Sequence, residues 1–196
     1  MHLLTQLIKD EKLTNIIGKG TFSVVTQHTG CSVLKYSVCP AYNNFITLPC
    51  EDTVDEPYFI KGVYEGSFYI NDHLVTVHEL PLLNSFHIKD LNKDQKKFVH
   101  NWKKLCKEYH YLYVQFTYHK DTGKFMRKAE ALINDIFKSM SDNFRINVIN
   151  LIRSMEPRHI LDNQFKGNML MDDQGQLVIT DPVFCKDTLF KLKGYS

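Results

Sequence analysis

Asn168 and Asp181 stand thirteen residues apart near the end of the 196-residue chain. Between them run Met169-Leu170, the polar stretch Asp172-Asp173-Gln174-Gly175 and the apolar run Leu177-Val178-Ile179. This reads as strand, tight turn, strand, and it delivers a side-chain carbonyl and a carboxylate to one end of a hairpin. Both are hard oxygen ligands. Mg²⁺ held by one or two protein oxygens leaves its other positions to water and phosphates, so the chemistry expected here is the grip of a metal–nucleotide. A surface hairpin with incidental polar ends is the plain alternative. The apolar strand that runs straight into an acid argues against it, because an acid at the end of a buried strand needs a partner such as a metal.

A second set of residues lies near the start. Ile16-Ile17 leads into Gly18-Lys19-Gly20-Thr21-Phe22-Ser23 and then Val24-Val25. Glycines let a backbone close over phosphates without interference from Cβ, and free N–H groups can face the oxygens. The strand–turn–strand setting separates this stretch from a dinucleotide-binding turn, which opens a helix. Val33-Leu34-Lys35 follows on the next expected strand. There Lys35 shares a face with Val33 and can reach phosphates as a point charge. Taken singly, the first is a glycine hairpin and the second a solvated edge lysine. The three groups in this order are far more specific than any one.

The elements that must position them fall into two kinds. Up to residue 81 the chain is rich in β-formers and turns. Strands are expected at Val24 to Gln27, Cys31 to Tyr36, Tyr58 to Val63, Ser67 to Ile70 and Leu74 to His78, forming an antiparallel sheet. From Asp90 the period changes. Phe98, Val99, Trp102, Leu105, Cys106, Tyr109, Leu112, Tyr113 and Phe116 predict a long amphipathic helix capped by Asp90 or Asn92. Phe125 to Met140 predicts a second helix. Phe144 to Met155 predicts a third, capped by Ser141 and stopped before Pro157. The stretch Ala41 to Pro57 does not read as a strong helix.

With these elements around its three motifs, the sequence resembles the protein-kinase-like fold and, more narrowly, the early serine/threonine protein kinases of T7-like bacteriophages. The matching residues are Gly18 to Ser23, Val33-Leu34-Lys35, Gly167-Asn168-Met169 and Ile179-Thr180-Asp181-Pro182-Val183. The last string is the most particular, since most kinases carry Asp-Phe-Gly there. The resemblance covers most of the chain in motif order. It implies a single α+β domain of two lobes: an N-terminal antiparallel β lobe, 1–82, and a compact, truncated helical lobe, 83–196. It implies ATP and Mg²⁺ as cofactors, and phosphorylation of host bacterial proteins on Ser/Thr in the host cytoplasm during takeover of the cell. On that mapping Gly18, Lys19, Gly20, Thr21, Phe22, Ser23, Val25, Val33 and Lys35 bind the nucleotide, and Asn168 and Asp181 hold Mg²⁺.

The catalytic base departs from the family pattern. The family places an aspartate five residues before the metal asparagine, and that position here is Asn163, with Asp162 beside it. A one-residue adjustment at Phe165-Lys166 brings Asp162 to the hydroxyl, or general-base help is absent. Lys166 can approach the γ-phosphate or stay a solvated loop lysine. Glu51 and Glu56 are the candidates to partner Lys35. Pro182 biases Asp181 toward extended backbone and predicts a fixed aspartate. Only fifteen residues follow Asp181, so no large substrate-binding helical region is expected after it. Two rivals remain: a pseudokinase-like module that grips a host protein, and a small-molecule phosphotransferase.

Composition narrows the partners. Lys+Arg 24 against Asp+Glu 22 leaves a net charge of +2, which gives no electrostatic case for nucleic acid or an anionic membrane. Five scattered cysteines without a CxxC pair argue against a zinc site or a disulfide framework, and point to a reducing compartment. Met1 to Lys12 is amphipathic without a basic start or a long apolar core, so neither a signal peptide nor a membrane span is expected. The histidines, His78 among them, lack metal spacing and are expected in packing or at the surface. The sequence leaves the oligomeric state open.

Overall fold

A computed structural model describes residues 3–51, 56–117, 122–156, 158–162 and 164–192. In chain order the elements are α1 (Leu3–Asp10), β1 (Ile16–Lys19), β2 (Ser23–Gln27), β3 (Ser32–Ser37), α2 (Pro40–Ile46), β4 (Tyr58–Phe59), β5 (Val63–Ile70) and β6 (His73–Pro81). After a 3₁₀ turn at Ile88–Asp90 come α3 (Lys93–Thr117), α4 (Thr122–Ile136), α5 (Asp142–Ser154), β7 (His159–Leu161), α6 (Phe165–Asn168), β8 (Met169–Met171), β9 (Leu177–Ile179), β10 (Val183–Cys185) and α7 (Lys186–Leu192). The protein is α+β. It forms two units. The first comprises 1–47, 60–82 and 184–196, and the second 48–59 and 83–183. Against the lobes expected at 1–82 and 83–196, residues 48–59 group with the helices and residues 184–196 with the sheet.

In the first unit an antiparallel sheet runs in the order β1-β2-β3-β6-β5. One face is covered by α1, whose Leu3, Leu4 and Leu7 pack with Val24, Val38, Ile70 and Val75. The amphipathic start of the chain is thus a core helix. Its apolar residues recur at helical spacing and bury one stripe. The opposite face carries α2, which the sequence did not suggest. Pro40 occupies the first turn of α2, where its missing N–H is harmless, and Ala41, Tyr42, Phe45 and Ile46 are buried. Burial of that face outweighs the weak propensity of Tyr, Asn, Phe and Ile. Thr76 Oγ1 donates to Asn43 Oδ1 at 2.5 Å and ties α2 to β6. Gly62 makes the fit possible, since a Cβ there meets Leu80 Cδ2 at 2.6 Å and Ile46 Cγ1 at 3.2 Å.

In the second unit, Phe59, Phe98, Trp102, Phe137 and Phe144 build an aromatic core. Phe144 stacks on Phe59 at 6.3 Å and meets Phe98 and Phe137 edge-on at 5.5 and 5.2 Å. The three expected helices are present. Asn92, not Asp90, caps α3, with its Oδ1 accepting from Gln95 N and Gln95 Oε1 accepting from Asn92 N, a reciprocal capping box. Ser141 caps α5 through Phe144 N. The single strand expected over Tyr58 to Val63 is split. Tyr58–Phe59 forms β4, parallel to β9, while β5 begins only at Val63 in the other unit's sheet. Gly62, with its close packing, lies in the gap. None of the five cysteines is in a disulfide, and no described helix is long and apolar enough to cross a membrane.

Candidate functional site

The antiparallel hairpin of β8 and β9 pairs Met169 with Ile179 and Met171 with Leu177. Leu177, Val178 and Ile179 are at most 1% exposed, because β9 is the middle strand of β4-β9-β8. The turn is closed by Asp172, whose Oδ1 accepts from Gln174 N and Gln176 N, and by Gly175 at φ +80. Tyr58 donates its hydroxyl to Asp172 Oδ2 at 3.0 Å, and Gln95 Nε2 donates to Gly175 O at 2.8 Å. Burial, then the bond to Asp172, pushes the Tyr58 phenol up to about 12, so it stays a donor. The hairpin is therefore anchored at its turn and packed along its length.

That leaves its open end to present side chains. Thr180 N and Asp181 N donate to Asn168 O at 2.9 and 3.4 Å, and Thr180 Oγ1 donates to Gly167 O at 3.2 Å. The backbones of Asn168 and Asp181 therefore lie side by side at this end of the hairpin. Asp162 N donates to Pro182 O at 2.7 Å, and Cys106 Sγ reaches Asp162 O at 3.6 Å. Asp162, Asn168 and Asp181 thus share one corner of the second unit. Asp162 Oδ1 accepts from Gln164 N at 2.7 Å. The chain from Phe165 to Asn168 makes one helical turn, with Gly167 at φ +91. Asn163 lies outside the described residues.

The electrostatics of this corner follow from its makeup. Burial raises the Asp162 carboxyl above its ordinary value, and the charge of Asp181 adds to the rise. The Gln164 N–H and the nearby Asn168 amide oppose it. Asn168 Nδ2 is buried and closes no hydrogen bond of normal geometry among the described residues, so Asn168 and Asp162 are neighbours rather than a bonded pair. The carboxylates of Asp162 and Asp181 and the side-chain carbonyl of Asn168 offer hard oxygens, which suit Mg²⁺. Among the described residues no cluster of three or more His, Cys, Asp or Glu competes as a metal site.

In the first unit the nucleotide-binding candidates fall on the sheet register. Gly18 pairs with Val25, Val25 with Lys35, Lys35 with His78 and His78 with Tyr64. This is one row across all five strands, on the face that α2 covers. Val33 shares that face by strand parity. Lys19 ends β1, and Gly20, Thr21 and Phe22 make the turn, closed by Gly20 N donating to Ser23 O at 2.9 Å. Phe22 stacks on Phe184 at 6.0 Å. Gly20 has no positive φ, and a Cβ there meets nothing closer than 3.6 Å, so the fold itself does not demand glycine.

Lys35 is 6% exposed, and its Nζ lies 3.6 Å from the centroid of the Tyr42 ring. Glu56, one expected partner, gives both carboxylate oxygens to Ser141, at N (2.7 Å) and Oγ (2.5 Å). Glu51, the other, is bound through its backbone to the Asn147 side chain. Tyr42 and His78 are the residues that sequence reasoning missed. Tyr42 sits in a helix with no propensity signal, and His78 enters only through register. No protein-family model matches the chain, and no curated protein sequence matches it.

Proposed function

We propose that the chain is an ATP- and Mg²⁺-dependent serine/threonine protein kinase of the phage type, acting on host bacterial proteins in the host cytoplasm. The observation that carries this reading is the meeting of Asp162, Asn168 and Asp181 at the open end of a hairpin whose rest is anchored. In this reading Asn168 Oδ1 and the Asp181 carboxylate hold Mg²⁺, which when bound neutralises charge on the phosphates. Asp162, oriented through Oδ1 by Gln164, turns its other oxygen to the substrate hydroxyl. The hydroxyl proton passes to it as the hydroxyl oxygen bonds phosphorus and ADP leaves. Lys35 supplies positive charge to the phosphates, and the Gly18–Ser23 turn supplies N–H groups. Gly20 suits a close backbone approach, since nothing inside the protein needs its missing Cβ.

A second reading is a catalytically impaired module that grips a host protein. Asn163, standing where the resembled family carries its base, favours it. Incubation of the purified protein with γ-labelled ATP, Mg²⁺ and bacterial lysate decides between them. The kinase reading expects labelled Ser/Thr in lysate proteins, lost in Asp181→Ala and strongly reduced in Asp162→Asn. Absence of transfer by the wild-type protein, together with retained capture of a lysate protein, establishes the second reading instead.

A further inference from the structure

The Lys35 ammonium is almost wholly withdrawn from water. A buried cation is costly unless something nearby answers its charge. The face of an aromatic ring does so through its quadrupole, within about 6 Å and more strongly when desolvated. Tyr42 is 0% exposed and puts its ring centroid 3.6 Å from Nζ. The ring has little freedom to move. Pro40 starts α2, Asn43 is bonded to Thr76, and Ile46 is packed beside Gly62. The surroundings of Nζ are tuned to the same end. His78, the cross-strand partner of Lys35, is 2% exposed, and its Nδ1 has no partner among the described residues. Tyr42 and Tyr64 meet its ring edge-on at 6.1 and 5.7 Å. Burial and the Lys35 charge both lower the pKa of His78. His78 therefore stays neutral and adds no second cation beside the first.

We propose that Tyr42 is a positioning residue of Lys35: its ring holds the ammonium in the row Gly18–Val25–Lys35, where a phosphate-binding lysine is needed. The role rests on the kinase reading for its purpose but not for its existence. The α2 helix thus acts on the strand lysine through a ring face.

A fluorination series tests this without changing shape. Position 42 is filled by phenylalanine (Tyr42→Phe), difluorophenylalanine and trifluorophenylalanine, each step weakening the negative face of the ring. Where Tyr42→Phe fails to fold, fluorinated tyrosines carry the same series at a pH below their phenol pKa values, so that the ring stays neutral. The first readout is the rate of Lys35 acetylation by acetic anhydride in nucleotide-free protein, followed by mass spectrometry. The ring stabilises the protonated amine, so the rate rises stepwise with fluorination while far-UV circular dichroism stays constant. The second readout is ATP affinity, expected to weaken about fivefold across the series. A flat acetylation series overturns the role of Tyr42. Acetylation that follows fluorination while ATP affinity ignores it upholds the hold on Lys35 and removes the phosphate role of that lysine, which is a failure of the kinase reading alone.

Discussion

Lys35 and Asp162 are both ionisable side chains drawn away from water, and the two units hold them in opposite ways. Lys35 sits on the middle strand of an antiparallel sheet, fixed by register on both sides and covered by an aromatic ring. Asp162 sits in a connection. It is half-buried, held by Pro182 O and Gln164 N, and followed by a single helical turn that depends on a left-handed glycine. Regular structure places the cation, and loop chemistry places the acid. A sheet row resists change because each residue has two cross-strand neighbours. A loop corner depends on a few bonds, and it can gather carboxylates that a regular sheet would keep apart.

This contrast can be broken at several points. The largest effect is expected from Phe144→Ala, which removes the ring at the centre of the aromatic core beneath the hairpin. It should cost about 3–5 kcal/mol in denaturant unfolding and take the acid corner with it. Next is Gly62→Ala in the first unit. The new methyl collides with Leu80 and Ile46, an overpacking cost of about 1–3 kcal/mol. Because Ile46 belongs to α2, acetylation of Lys35 should quicken in the same variant. Gly167→Ala strikes the other side of the comparison. At φ +91 a Cβ costs about 1–2 kcal/mol, with no neighbouring atom in its way. It should impair phosphoryl transfer and leave Lys35 acetylation unchanged. Equal effects of both glycine variants on Lys35 would abolish the distinction drawn here.

The smallest effect is a pH dependence. His78 and His159 are each 2% exposed, and burial lowers both pKa values below 6.5, with Glu156 partly opposing this at His159. The unfolded chain therefore takes up these protons first as pH falls. Their neutral burial costs nothing above about pH 6.5 and destabilises the fold below it, by at most about 1.4 kcal/mol per pH unit for each histidine. His78→Asn should flatten the loss of stability between pH 6.5 and 5, as read by thermal melts across that range.

Much of this was legible in the sequence, for physical reasons. The strand period put Lys35 on the face of Val33, and the hairpin register brought Asn168 to Asp181. Both follow from a repeat of two residues and a short turn. The capping serine of α5 was equally visible, because the cap is local. What was hidden depended on distant contacts. The α2 helix has poor propensity and exists because its buried face is covered. The row Lys35–His78–Tyr64 needs the pairing of β3 with β6 and of β6 with β5, which no local pattern encodes. Glu56 looked available for Lys35, yet it caps a helix 85 residues further along. The spacing of Asp162 from Asn168 was visible, but only the backbone shows the helical turn and the left-handed Gly167 between them.

The most direct test of the proposed metal–nucleotide corner is ATP affinity by titration calorimetry, with and without Mg²⁺, in the wild-type protein and in Asp181→Asn. The account predicts that Mg²⁺ tightens ATP binding at least about tenfold in the wild-type protein. It predicts that Asp181→Asn loses this gain while binding metal-free ATP as before, because Lys35 and its aromatic support are intact. ATP binding that is indifferent to Mg²⁺, or a Mg²⁺ response that survives Asp181→Asn, would contradict it.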